Sequence, residues 1–115
     1  MLDKVVSKIV ALGVPGLVLL VAMAASGWAG GAAIVTALAI LGGPAGMIGG
    51  IALLCVLALI SNALAKYGFE RIFQASVRRF REKGMSKEEI LRKVESYPVS
   101  RDIKLKLRDA LERLD

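Results

Sequence analysis

The chain has 115 residues, of which 56% are hydrophobic, and it carries 16 Lys and Arg against 10 Asp and Glu, a net charge of +6. A soluble domain is about 45–50% apolar, so this hydrophobic share favours a membrane protein. The lack of His and the single Cys remove the usual general base, the commonest metal ligand, intramolecular disulfides and cysteine-based zinc sites, so we expect no enzyme, cofactor or metal.

A long apolar run dominates the first half of the chain. Residues 9–65 contain no Asp, Glu, Lys or Arg. A span needs about 20 apolar residues, so two spans with a remainder or three short spans fit. A buried hairpin of a soluble protein would keep a polar face, which this run lacks. The predicted fold is all-α: an integral membrane helical hairpin, a basic amphipathic helix and a small C-terminal two-helix cytoplasmic unit.

Glycines and prolines divide the run into predicted segments at residues 5–25, 32–41 and 44–65. The second segment rises only about 15 Å as a helix, which predicts a short re-entrant or interfacial helix between two spans. In the alternative it crosses as a thin third span, which puts the N-terminus outside. Basic residues flank both ends of the run, so we expect both termini on the cytoplasmic side of the cell (inner) membrane.

Glycines spaced four residues apart are the most specific motif in this run. Gly42, Gly46 and Gly50 form one such series, and Gly27 and Gly31 form a second pair. Small residues at this spacing let helix backbones approach closely in lipid, which predicts helix packing in a homo-oligomer. In the alternative, the same glycines serve only the internal packing of the three segments.

Few polar side chains interrupt the run. Ser61 and Asn62 lie next to each other near its end. Polar groups at membrane depth face a bundle interior or a cavity, so these two are pore candidates unless they simply lie at the interface. Cys55 is expected to fill space in the apolar core rather than to react.

Residues 66–84 are predicted to form a basic amphipathic helix, with six basic and two acidic residues and an apolar face rich in Phe. Such a helix binds anionic lipid headgroups, and a basic patch beside a span favours lipid over nucleic acid. In the alternative, the Phe stripe packs on the C-terminal helices or on another subunit. The predicted membrane-surface residues are Arg71, Phe73, Arg78, Arg79, Phe80 and Arg81.

Residues 85–115 are predicted to form a two-helix unit. Ser86 and Glu89 have the spacing of a capping box, and Pro98 ends the first helix. The unit is too small to fold alone, so we expect it to pack on the preceding helix or on neighbouring copies. The predicted organisation is a membrane-embedded region at residues 1–65, a juxtamembrane helix at 66–84 and this hairpin.

Three functions remain open. The first is a small oligomerising protein that permeabilises or perturbs a membrane: a pore-forming toxin, a holin-like protein or a cell-death or immunity effector. The second is a membrane anchor or a regulatory or immunity subunit that docks a partner through its cytoplasmic helices. The third is a secreted peptide precursor, because the basic start, the apolar stretch and Ala22-Met23-Ala24 imitate a signal peptide. Trp28, the glycine-rich apolar helices and the basic tail are together similar in style to membrane-permeabilising bacteriocins.

Overall fold

The computed structural model describes residues 2–26, 50–97 and 101–114, and the side chains of residues 26 and 50–54 lie outside this description. The elements in these ranges are helices, which confirms the all-α prediction. In chain order they are α1 (Leu2–Leu12), α2 (Val14–Ser26), α3 (Gly50–Tyr67), α4 (Phe69–Glu82), α5 (Lys87–Glu95) and α6 (Arg101–Glu112).

The centre of the fold is α2, which packs against each of the other five described helices. Its four consecutive residues from Leu17 to Leu20 are at most 1% exposed, so α2 is covered on every side. A helix that is apolar around its whole circumference must be buried, either in a protein core or in a membrane. In this structure the other helices of the same chain bury it.

The described helices around α2, apart from α3, are amphipathic, and each turns an apolar stripe inward. Residues three and four apart in sequence share one side of a helix, which is why these stripes form continuous apolar surfaces. Charged side chains occupy the opposite, exposed sides of these helices, whereas α3 carries charge only at Lys66. The fully buried stripe residues include Val5 and Ile9 of α1, Ile72 and Phe73 of α4, Ile90 of α5, and Leu107 and Leu111 of α6.

The predicted segment at residues 5–25 is two helices in this structure rather than one, and its role as a span stays a prediction. The chain breaks at Gly13, which ends α1 and separates it from α2. The sequence analysis treated Gly13, Pro15 and Gly16 as interruptions that a membrane helix tolerates, whereas here they make a turn between two helices. Within the part of the chain that the structure describes, no helix has both the length and the apolar composition needed to cross a bilayer.

The other predicted segments are described only in part. Residues 32–41, the expected re-entrant helix, lie outside the described residues. The third segment is described from Gly50 onward, as α3. The number of spans and the position of the termini relative to a membrane therefore stay predictions.

The C-terminal unit packs mainly on α2, and not mainly on the preceding helix as expected. Its predicted capping box is confirmed: Ser86 Oγ accepts from the Glu89 N–H at 3.2 Å, and the Ser86 N–H donates to Glu89 Oε1 at 3.4 Å. An ion pair of 2.7 Å between Arg113 and Glu70 links the end of α6 to α4. The apolar edges of α5 and α6 face α2, which is apolar along its whole length.

Candidate functional site

The turn between α1 and α2 depends on two glycines. Gly13 has a φ of +81°, in the left-handed region that residues with a Cβ rarely adopt, and its N–H donates to the Val10 carbonyl oxygen at 2.9 Å. The Gly16 N–H donates to the Gly13 carbonyl oxygen at 2.8 Å, and a Cβ on Gly16 would overlap the carbonyl oxygen of Ile9. The missing side chains therefore let α2 turn away from α1 and still pack closely on it.

A basic surface lies over the apolar core on α1 and α4. Lys4, Lys8, Arg71 and Arg78 are exposed. The two lysines are one helical turn apart, so they share one side of α1, where they border a shallow groove against Leu59 of α3. These lysines were not among the predicted site residues, although their four-residue spacing places both of them on one side of a helix.

The predicted membrane-surface arginines of α4 are on the surface, but their environments differ. The Arg71 guanidinium carbon lies 5.6 Å from the centroid of the Tyr67 ring, within the range of a cation–π contact. Lys66 Nζ lies 5.5 Å from the same centroid. Arg78 and Arg81 are exposed. Arg78 and Arg81 border a groove that also contains Glu82 and Leu114, so the outer side of α4 is basic with acidic residues among the arginines.

Arg79 differs from its neighbours because its guanidinium contacts α1. Its guanidinium lies 3.7 Å from an Asp3 carboxylate oxygen and donates to Ser7 Oγ at 3.2 Å. Asp3 is the only acidic residue of α1. Arg79 therefore neutralises that carboxylate, and the outer side of α1 keeps the positive charge of its lysines.

The predicted membrane-surface phenylalanines are inside the protein. Phe73 is completely buried and Phe80 is 4% exposed, and the Phe73 ring stacks on Phe69 with centroids 5.2 Å apart. The packing alternative is therefore the one that this structure has. The stripe packs on α1, α2 and α3 rather than mainly on the C-terminal helices, because those three helices carry the largest apolar surfaces.

The polar residues of α3 lie toward the outside. Ser61 is half-buried and Asn62 is exposed, so neither is enclosed in a polar cavity of this chain. A pore lined by them requires further copies of the protein and stays a prediction. The expectation that Cys55 fills core space is wrong, since its side chain is exposed.

The glycine series falls largely outside the described residues. Gly27, Gly31, Gly42 and Gly46 all lie there. Gly50 is the first residue of α3, and its surroundings are not described. Helix packing and oligomerisation through these glycines therefore stay predictions.

A second surface that the sequence analysis missed lies on α6. Leu105 is 54% exposed, and charged side chains of α5 and α6 surround it. A signal was present, because Leu105 lies two residues from both Ile103 and Leu107 and helical periodicity places it on the side opposite the buried stripe. The surrounding residues are Glu95, Arg101, Lys104 and Arg108.

Charged and apolar side chains make up these surfaces. In the described ranges no three His, Cys, Asp or Glu residues come together as a metal site. Burial raises the pKa of the Tyr97 hydroxyl above its usual value of 10.0 and keeps it neutral. Basic side chains over a uniformly apolar helix can instead bind anionic headgroups and offer apolar surface to lipid.

Comparisons with protein-family models, with curated proteins and with solved structures found no match. The function must therefore be inferred from the chain's own residues. Two of its features matter most: the covered apolar helix α2 and the basic surface of α1 and α4.

Proposed function

We propose that this chain is a small oligomerising protein that binds anionic membranes and perturbs the bilayer, as a pore-forming toxin, a holin-like protein or a cell-death or immunity effector does. The observation that carries the proposal is the charge-free run at residues 9–65, which includes a helix that is apolar on every side. An ordinary core helix in a chain of this size needs an apolar stripe only on its inner side.

The apolar circumference of α2 suits two environments. In water it requires the shell formed by the other helices, because each exposed apolar side chain costs about 1.5–3 kcal/mol. In a bilayer the lipid tails provide the same apolar surroundings without that shell. Transfer to lipid therefore costs α2 little and frees the inner sides of the surrounding helices to contact lipid as well.

The charge of the surface supports an anionic target. Lys4 and Lys8 lie exposed on α1, and Arg71 and Arg78 lie exposed on α4, which packs against α1. A basic residue near an anionic membrane contributes about 1 kcal/mol to binding, and salt screens the attraction. We therefore propose the cell (inner) membrane, whose cytoplasmic surface is anionic, as the site of action.

Dye release from lipid vesicles tests the proposal. The purified chain is expected to release a trapped dye from vesicles rich in phosphatidylglycerol and to release far less from phosphatidylcholine vesicles. Raising the salt concentration should reduce release, since the attraction is electrostatic. Induced expression in cells should collapse the membrane potential. Full dye retention together with an unchanged potential would contradict the proposal.

Assembly is tested at the glycine series. Gly46→Leu should prevent close helix approach and reduce the oligomers that cross-linking detects in vesicles. Ala58→Leu adds a side chain of the same size to the exposed side of α3 and is the matched control. Equal oligomer populations in the two variants would exclude the glycine series as the interface.

A second function, docking a partner protein through the cytoplasmic helices, is favoured by the exposed Leu105. A half-exposed leucine ringed by charges resembles the apolar centre and polar rim of a protein interface. This function predicts harmless accumulation in cells and one defined photocross-link from position 105. A probe at the exposed Arg92 of α5 is the control.

A further inference from the structure

We propose that Gly13 is a hinge, at which α1 and α2 change from the bent arrangement of this structure to one continuous helix that crosses the bilayer. This inference rests on the proposed function and adds to it the conformational step by which the protein inserts. It also accounts for an apolar segment of span length that is folded here as two short helices.

The local geometry makes Gly13 the point of conversion. Gly13 is the one residue between the end of α1 and the start of α2. Its φ of +81° is the only positive φ within residues 2–26. A Cβ at Gly13 would make only an ordinary 3.6 Å contact with Pro15 Cδ. Because Gly13 is the one residue between the two helices, a change of its backbone angles to helical values is sufficient to join them.

The joined helix would have the length of a span. Residues 9–26 contain no charged side chain, and a helix of that length rises about 27 Å, close to the hydrocarbon thickness of about 30 Å. Lys4 and Lys8 lie just before this stretch, where their long side chains reach the headgroups. The basic end of the joined helix thus lies at the depth of the headgroups, and its apolar stretch lies in the hydrocarbon core.

Water and lipid favour opposite arrangements. In water the bent arrangement keeps α2 covered, and Pro15 sits at the second position of α2, where its missing N–H leaves no hydrogen bond unmade. In the joined helix Pro15 leaves the Ala11 carbonyl oxygen without its helical donor, a defect that membrane helices tolerate. The bent form is therefore expected in water and the joined form in lipid.

The ion pair between Asp3 of α1 and Arg79 of α4 is weak enough for a membrane surface to break. Arg79 holds Asp3 at 3.7 Å, and the Asp3 side chain is 95% exposed, so the pair is a weak surface contact. Lipid phosphates compete directly for that guanidinium. An anionic surface thus removes the polar contact between α1 and α4 as it attracts the lysines of α1, and the apolar contacts between the two helices are left for the lipid tails to replace.

Distance measurements between two spin labels test the hinge. The labels are placed at the exposed positions Lys4→Cys and Ala24→Cys in a Cys55→Ala chain. A continuous helix separates the two positions by about 30 Å, and any bend at Gly13 shortens the distance. The short distance is expected in water, and the distance of about 30 Å is expected in anionic vesicles and in zwitterionic detergent micelles.

Gly13→Ala and Gly68→Ala form a matched pair of variants. Both glycines have positive φ, +81° and +86°, and neither has a close neighbour that a Cβ would strike, so both substitutions strain the folded state alike. Only Gly13 joins α1 to α2. Gly13→Ala should raise the ratio of long to short distances about tenfold in micelles, and Gly68→Ala should leave it unchanged.

The outcomes separate the hinge from the proposed function. A short distance in both vesicle-bound and micelle-bound protein overturns the hinge, and so does an equal response to the two alanine variants. Absence of dye release with the long distance present in micelles refutes the proposed function and retains the hinge. Dye release with the short distance retained refutes the hinge alone.

Discussion

Two helices that pack against each other, α2 and α4, relate to the sequence in opposite ways. The apolar residues of α4 form one stripe, in which Phe73 is buried, and Arg78 is exposed on the opposite side. The sequence of α4 therefore predicts which side of the helix faces the core. The sequence of α2 is apolar throughout and states only that the helix is buried. A periodic pattern therefore shows which side of a helix is buried, whereas uniform hydrophobicity shows that a helix is buried without showing whether protein or lipid covers it.

The largest expected effect concerns the middle of α2. Leu20→Asp would place an unpaired carboxylate at a fully buried position, which should cost more than about 4 kcal/mol of unfolding free energy and leave the chain unfolded in water. Ala24→Asp, at the exposed end of the same helix, is the control and should fold. Circular dichroism in a urea titration measures both. A folded Leu20→Asp chain would show that α2 is not covered on all sides.

A slightly smaller effect is expected for the stripe of α4. Phe73→Ala should lower the unfolding free energy by about 3–5 kcal/mol, because it removes a fully buried ring and leaves a cavity. Gln74→Ala alters the next, exposed position and should cost little. The same titration compares the two variants, and equal stabilities would mean that the stripe faces outward, as the membrane-surface alternative requires.

The outer side of α4 should matter for binding and not for folding. Exchange of both Arg71 and Arg78 for Gln is expected to weaken binding to anionic vesicles by about 2 kcal/mol before screening, with little change in stability. Exchange of Arg92 and Lys93, exposed on α5, removes the same charge elsewhere. Vesicle sedimentation measures both pairs. Equal losses would indicate a response to net charge rather than to this surface.

The smallest effect is expected for the contact between α4 and α1. Arg79→Gln removes an ion pair that solvent reaches, so the unfolding free energy should fall by at most about 1 kcal/mol, and less at high salt. Arg78→Gln, at an exposed position of the same helix, serves as the comparison. A loss of several kcal/mol at Arg79 would mean that this contact, rather than the apolar interior, fixes α1 in place.

The parts of the fold that have local sequence signals were predictable. The stripe of α4 and the capping box at Ser86 carry local signals, and the structure has both of them. The break at Gly13 was visible as a glycine near a proline, but a membrane helix and a helical turn accept that pattern equally. Only the tertiary packing decided between them, because Gly16 meets the backbone of Ile9 in the bent arrangement.

The surface was harder to predict than the interior. The exposure of Arg71 and Arg78 follows from the helical stripe. Arg79 and Asp3 lie far apart in the sequence and pair only through the fold, so no local spacing indicates the contact. The exposure of Leu105, by contrast, follows from the stripe of α6, since it lies two residues from the buried Ile103 and Leu107.

The central position of α2 has a consequence for synthesis on the ribosome. Residues 14–26 are made early, whereas α6, which covers part of α2, is made last among the described helices. At about 5–20 residues per second, the interval between the end of α2 and the start of α6 lasts several seconds. Throughout that interval the nascent chain carries an apolar helix without its full cover. The order of synthesis thus gives a membrane or a chaperone the first opportunity to bind α2, before the chain's own C-terminal helices exist.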